Sequence, residues 1–375
     1  MRLVADAGLW RTDPAVPDTP LVAVLEVSGA VLSWTIDDPP GEAPTHIAFT
    51  NVARADWLWR VLGESGHVAV AAAVASSAEA TDRPLDLNGV DIVPGSVDPL
   101  RRLAIGHWLR RWWPASRQDG IAGLDRALLD VEIALLTVGA QGFFTDDTLD
   151  SDAAELLAPH AAALIGHAGS GDPRIADMVR AGGGLADDIG VDSGRWPELL
   201  AALDDSSIVL SLPSDRRDDY ALAAGSDAGP RGAAPIARGV ASISWSAVPP
   251  AIFDAGEDTV EWSVEAAGAA VRAAIIGPDL PSGIAVRLRS GAITGTGVLD
   301  AGGRATLPLL DAQGQPMTEA AAWNHDWAAT AVLVGADTAE ARETRERVRR
   351  WARSRLDRPP ADAFLAEILA AESSY

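Results

Sequence analysis

The alternation of apolar and polar positions changes character along the chain. From Leu21 to Asp37 the stretch "LVAVLEVSGAVLSWTID" is rich in Val, Leu and Ile and breaks only at Ser28-Gly29. That pattern predicts a hairpin with a short glycine-containing turn. "PTHIAFT", "HVAVAAAVA" and "LDLNGVDIV" read as further strands, with Asn88-Gly89 as a turn. "HVAVAAAVA" also fits a short helix. One helix, "RADWLWRVLGES", interrupts them and is expected to end near Gly63.

From Val97 the period lengthens. Asp98 can cap a helix, Pro99 suits its first position, and Pro114 ends it. Ile105, Trp108, Leu109 and Trp112 fall on one face, with His107, Arg110 and Arg111 opposite. Next, Leu124, Leu128, Val131, Leu135 and Val138 form a stripe that Leu129, Ile133 and Leu136 widen. A helix apolar over so much of its surface is expected at the centre of a core. "DSDAAELLAPHAAALIGHA", "DPRIADMVRA" and "GRWPELLAALDD" continue the helical region, with Gly182-Gly183-Gly184 expected to separate two pieces.

After a stretch rich in Asp, Arg, Gly and Pro, strands return: "VASISW", "TVEWSVEA", "AVRAAIIG", "IAVRLRSG", "GTGVLD", "RATLPLL" and "WAATAVLVG". Asp300-Ala301-Gly302-Gly303 and Asp311-Ala312-Gln313-Gly314 punctuate them as turns. This rhythm resembles immunoglobulin-like or transthyretin-like accessory modules, and the resemblance implies a β-sandwich that binds or spaces partners. The end of the chain is helical and split by Pro359-Pro360.

The fold class expected is therefore α+β and multidomain. A β-rich domain over 1–96 precedes a helical domain over 97–214 and a linker or exposed loop over 215–237. A β-sandwich over 238–336 and an arginine-rich helical tail over 337–375 complete it.

Composition narrows the chemistry. The net charge is −23, and all 30 basic residues are arginine. Without lysine there is no P-loop lysine and no Schiff-base nucleophile, and without cysteine no thiol catalysis or thiolate zinc site. The negative charge disfavours nucleic acid as a general partner. No run approaches the ~20 apolar residues of a membrane span, and "MRLVADAGLW" lacks a signal-peptide core. These features point to a cytoplasmic protein with no membrane contact.

No motif reaches a reaction. "GESGH" (Gly63–His67) departs from a nucleophile elbow in its last residue and in its context. His160 and His167, seven apart, would be separated by about 10 Å on a straight helix, too far to share a metal. Asp146, Asp147, Asp150 and Asp152 lack the spacing of a calcium loop. "RAGGGLADD" and "GTGVLDAGG" lack the strand–turn–helix setting of a phosphate loop. His325 and Asp326, adjacent between Trp323 and Trp327, would point to opposite faces of a strand. No catalytic residue, metal or cofactor is assigned.

What remains is contact with protein partners. The candidates are Arg110, Arg111 and Trp113, then Trp323 and Trp327, then Arg345, Arg349 and Arg353 of the arginine helix. That helix carries a packing stripe at Val348, Trp351 and Ala352, and the explanation that needs nothing new docks its arginines on the protein's own acids. The leading expectation is a non-catalytic accessory or adaptor protein in an intracellular multi-protein assembly. A hydrolase with a fold-assembled site, using His46, His67 or His325 as base, is the alternative. Nucleic-acid binding through Arg342–Arg358 is a third reading.

Overall fold

The computed structural model describes the chain except residues 14–15, 39–43, 77–83, 145–148, 169–170, 192–194, 205–233, 267, 278–279 and 374–375. The described residues form a mixed α+β protein with ten helices and three sheets, every strand pair antiparallel and no sheet closed into a barrel. They divide into two compact units. The first comprises Met1–Trp112, Leu124–Val209 and Glu346–Tyr375, the second Trp113–Gly123 and Leu210–Arg345.

The first unit opens with β1 (Arg2–Asp6), β2 (Leu9–Thr12), β3 (Val22–Val27), β4 (Ala30–Thr35), β5 (His46–Phe49) and β6 (Leu85–Asp86), ordered β3-β4-β5-β2-β1-β6. The expected hairpin is β3–β4, with Val27 opposite Ala30 across Ser28-Gly29. Gly29 has φ 76°, and a Cβ there would sit 2.3 Å from the Asn51 carbonyl oxygen, so only glycine fits. The Trp57 indole N–H donates to the Ser28 carbonyl at 2.7 Å and ties the turn to the first helix.

That helix, α1 (Leu58–Ser76), departs from the expectation. Gly63 does break it, at φ 74° and ψ 164°, but helical geometry resumes and takes in "HVAVAAAVA". Five of those nine residues are alanine, the strongest helix former, and this outweighs the alternation that suggested a strand.

The expected boundary between residues 96 and 97 falls inside this one unit. Helix α2 (Asp98–Trp112) packs on β3 and β4, and its Trp108 indole donates to the Pro20 carbonyl at 2.6 Å. On its other side lies α3 (Arg126–Ala140), the central helix, started by an Asp125 cap whose carboxylate accepts from the Leu128 N–H. Around α3 stand α4 (Leu149–Leu157), α5 (Ala161–Ala168) and α6 (Pro173–Asp188), with α7 (Trp196–Asp204) against α5 and α6.

The three glycines expected to divide the helical region lie inside α6 instead. A Cβ on Gly182 would come within 2.6 Å of Val131 on α3, and one on Gly183 within 2.4 Å of Leu200 on α7. Gly182 and Gly183 are contact glycines, which let α6 approach two neighbours at once. The expected linker lies almost wholly outside the described residues, as do Asp146 and Asp147.

The second unit holds two four-stranded sheets. One is ordered β12-β9-β8-β7, from β7 (Ala237–Ala241), β8 (Val260–Glu265), β9 (Gly268–Ala273) and β12 (Arg304–Leu307). The other is ordered β13-β11-β10-β14, from β10 (Ala285–Ser290), β11 (Ile293–Val298), β13 (Leu309–Leu310) and β14 (Thr330–Val334). The chain passes from the first sheet to the second at Pro308, which has no N–H for a ladder. The two Asp turns close as expected: Asp300 accepts from the Gly302 and Arg304 N–H groups, and Asp311 from those of Gln313 and Gln315. One short helix, α8 (Glu319–Asn324), sits where the pattern gave no element.

The tail forms α9 (Arg342–Asp357) and α10 (Leu365–Ser373), separated by the proline pair. From Glu346 onward it belongs to the first unit, so the strands of the second are inserted in sequence between α7 and α9.

Adjacent glycines on α6 give a test. Gly182→Ala is expected to destabilise by about 1–3 kcal/mol through overpacking against Val131. Gly184→Ala, with nothing within 4 Å of its Cβ, is expected to stabilise by about 0.5–1 kcal/mol. Urea midpoints of the two variants check both signs.

Candidate functional site

The outward face of the sheet β12-β9-β8-β7 forms a concave site of about 690 Å³. Register sets its layout. Arg304, Arg272, Glu261 and Val240 stand side by side across the four strands. Two residues along, Thr306, Ala270, Ser263 and Arg238 form the next row. Small side chains at the middle of that row leave a depression, and long ones at Arg238, Arg272 and Arg304 border it. All three guanidinium groups are exposed and, among the described residues, have no hydrogen-bond or ion-pair partner. Beneath the face, the Trp262 ring lies so close to Gly239 that a Cβ there would sit 2.4 Å from it, which fixes β7 on β8. Arg272 and Glu261 also border a second hollow of about 500 Å³, lined by Arg117, Asp258 and Thr259.

The residues expected at a partner surface are dispersed. Arg110 pairs with the buried Asp130 at 2.9 Å, and Arg111 stacks 4.2 Å over the Trp112 ring. Trp113 is buried and donates to the Ala122 carbonyl. Trp327 is buried with its N–H on the Ala322 carbonyl, whereas Trp323 is 58% exposed. On α9, Arg345 is held two-pronged by Glu257 at 2.9 and 3.0 Å, Arg349 is buried, and Arg353 is half-buried. Trp113, Trp327 and Arg349 are thus buried in the protein itself, and the half-buried Arg345 is committed to its own Glu257. Further along α9, Arg347 forks onto Asp37 and Arg355 onto Glu367, as expected for arginines docking on the protein's own acids. Of the face residues, none was singled out by pattern. Alternate polar positions on facing strands were the available signal.

The buried titratable groups are committed to internal pairs. Asp130, 1% exposed, accepts from Arg110, Arg126 and His160. Burial pushes its carboxyl upward, but those three donors hold it below its ordinary range. His160 and His167 do not share a metal site: His167 binds Asp125 at 2.7 Å instead. That hydrogen bond raises the His167 pKa against the opposing effect of burial. Burial, with Arg110 nearby, lowers the pKa of His107. Among the described residues no group of three or more His, Asp and Glu could hold a metal.

Between α2, α3, α9 and α10 lies a buried ionic cluster. Glu367, fully buried, accepts both prongs of Arg355 at 2.5 and 2.7 Å and the Phe364 N–H at 2.9 Å. Glu132 accepts from Arg102 at 2.5 Å and from the Leu365 N–H at 2.8 Å. Burial lifts its pKa, Leu365 and Arg102 oppose this, and Glu367 adds to it. Asp362 bridges Arg101 and Arg355.

One pair has nucleophile–base geometry: Ser290 Oγ is 2.9 Å from His325 Nε2. Ser290 is 1% exposed, and its second neighbour is the Thr330 hydroxyl at 3.1 Å. Thr330 has one hydroxyl hydrogen, and its shorter contact is the Trp327 carbonyl at 2.7 Å. The Thr330 hydroxyl faces both the Trp327 carbonyl and the Ser290 hydroxyl, and the tautomer of His325 sets which of Ser290 and Nε2 donates. His325 and Asp326 do not pair: Asp326 accepts from the Ala328 N–H. Ser65 and His67, two apart on α1, do not face each other.

No protein-family model, curated protein or solved structure matches the chain.

Two outcomes test this chemistry. Arg355→Leu strands a buried carboxylate and is expected to cost about 3–5 kcal/mol, much of it recovered in Arg355→Leu/Glu367→Leu. Chemical denaturation of the variants checks this. The raised His167 pKa means its contribution is present below its unfolded value near ~6.5 and lost as pH rises through the folded value. The lowered Asp125 pKa limits it at the acid end, where it is lost as pH falls below ~3.9. The stability difference between the native chain and His167→Asn, under about 1 kcal/mol, is therefore expected to be larger at pH ~5.5 than at pH ~8.

Proposed function

We propose that the protein is a non-catalytic accessory or adaptor component of a cytoplasmic multi-protein assembly. Its second unit acts as an immunoglobulin-like or transthyretin-like β-sandwich that meets a protein partner. One observation carries the reading. Most of the arginines in the first unit and α9 are tied to the protein's own carboxylates or rings, while Arg238, Arg272 and Arg304 stand together, unpaired, on one concave sheet face. Guanidinium groups are enriched at protein interfaces, where they make forked bonds to carboxylates. Among the described residues no helix is long and apolar enough to cross a membrane, which agrees with a partner away from the bilayer.

The Ser290–His325 contact supports a second reading, hydrolysis. Against it stands the burial of Ser290, which is 1% exposed. Nucleic-acid binding through α9 has less support, because Arg345, Arg347 and Arg355 are already paired.

The chain is expected to leave its native host, under non-denaturing conditions, in a complex of fixed stoichiometry by native mass spectrometry. Recovery as a lone chain overturns the accessory reading. Loss of ester hydrolysis in Ser290→Ala and His325→Ala, with folding intact, would establish the hydrolase instead.

A further inference from the structure

We infer that the face formed by Arg238, Arg272 and Arg304 binds an extended acidic protein segment with carboxylates about four residues apart. The inference rests on the accessory reading and names the chemistry of its contact.

Spacing argues for an extended segment. Arg304 on β12 and Arg238 on β7 stand at the two edges of a four-stranded sheet, three strand spacings apart, or about 14 Å. About four residues of extended chain cover that span at ~3.3 Å each, so carboxylates at the two ends of such a segment meet the arginines of both edges. The floor suits a peptide: Ala270, Ser263 and Thr306 leave room for a backbone, and the exposed Val240 offers an apolar contact at one end.

Charge argues for carboxylate partners. The three guanidinium groups have no partner among the described residues; the one carboxylate of the face, Glu261, stands directly across from Arg272 in register and makes no ion pair with it. Forked arginine–carboxylate bonds are the chain's own habit, as at Arg345–Glu257 and Arg355–Glu367. A nucleic-acid strand fits less well. Glu261 stands in the middle of the row, and the one aromatic lining residue, Trp262, is buried and offers no ring for stacking.

The test uses the full chain and a fluorescein-labelled peptide of about eight residues, built from Ser and Val with glutamates four apart, read by fluorescence anisotropy. The expected result is saturable binding that weakens with salt and falls about tenfold for each arginine removed in Arg272→Ala and Arg304→Ala. Arg180→Ala, an exposed arginine on α6, is expected to leave it unchanged. Because the face arginines have no partners to lose, the variants are expected to melt with the native chain; Arg272→Gln and Arg304→Gln serve where the alanine variants do not fold. Absence of binding, equal binding by the variants, or tighter binding of a single-stranded oligonucleotide of matching charge overturns the inference. The two readings fail separately. A native complex that survives in Arg272→Ala/Arg304→Ala leaves the accessory reading standing and removes this surface. A lone native chain whose face still takes the peptide does the reverse.

Discussion

The buried carboxylates Glu132 and Glu367 set the terms for the rest of the first unit. Two negative charges taken out of water must be matched or the unit does not hold. Glu367 is matched by Arg355, twelve residues away on α9, and Glu132 by Arg102 on α2. Glu367 Oε2 also accepts the Phe364 N–H, and the second oxygen of Glu132 takes the Leu365 N–H, both at the start of α10. Glu367 thus joins α9 to α10, Glu132 joins α3 to α2 and α10, and the two pairs together link all four helices. Gly106 completes the joint: a Cβ there would sit 2.8 Å from both Ile133 and Phe364, so its absence admits the fully buried Phe364 ring. Leu365 is bonded to a residue 233 positions earlier in sequence, and the strands of the second unit lie within that interval.

The absence of lysine makes this economy consistent. With arginine as the only basic side chain besides histidine, internal pairing favours the planar fork, which engages both oxygens of a carboxylate and keeps its charge when buried. Arg345 on Glu257, Arg347 on Asp37 and Arg355 on Glu367 repeat that geometry. The arginines of α9, which look in sequence like a patch for an outside ligand, largely serve the protein itself. Those of the β12-β9-β8-β7 face do not, and the contrast gives that face its meaning.

Much of the architecture was legible. The β3–β4 hairpin followed from Ser28-Gly29, the centrality of α3 from its wide apolar stripe, and most strands of the second unit from strand rhythm and the Asp turns, although "RATLPLL", read as one strand, divides at Pro308 into β12 and β13. Other features were not. "HVAVAAAVA" carries both an alternation and an alanine run, and the alternation was read where the helix propensity of the alanines prevailed. Gly182 to Gly184 read as a break because glycine is a weak helix former, yet a helix keeps glycines where neighbours come close. Trp113 and Trp327 read as contact residues because exposure cannot be inferred from a local pattern around a single aromatic.

By itself, the sequence determined most of the elements: periods of two and of about 3.6, caps, proline stops and turn residues act over a few positions and need no distant partner. It also determined which chemistries lack their reagents, since lysine and cysteine are absent. The tertiary structure alone decided the sorting of the arginines, because pairing depends on carboxylates up to 310 residues away. It alone rejoined the C-terminal helices to the N-terminal unit, since buried charge is satisfied in space and not along the chain. And it alone assembled Arg238, Arg272 and Arg304 into one face, because cross-strand register, invisible in any single strand, sets which side chains stand together.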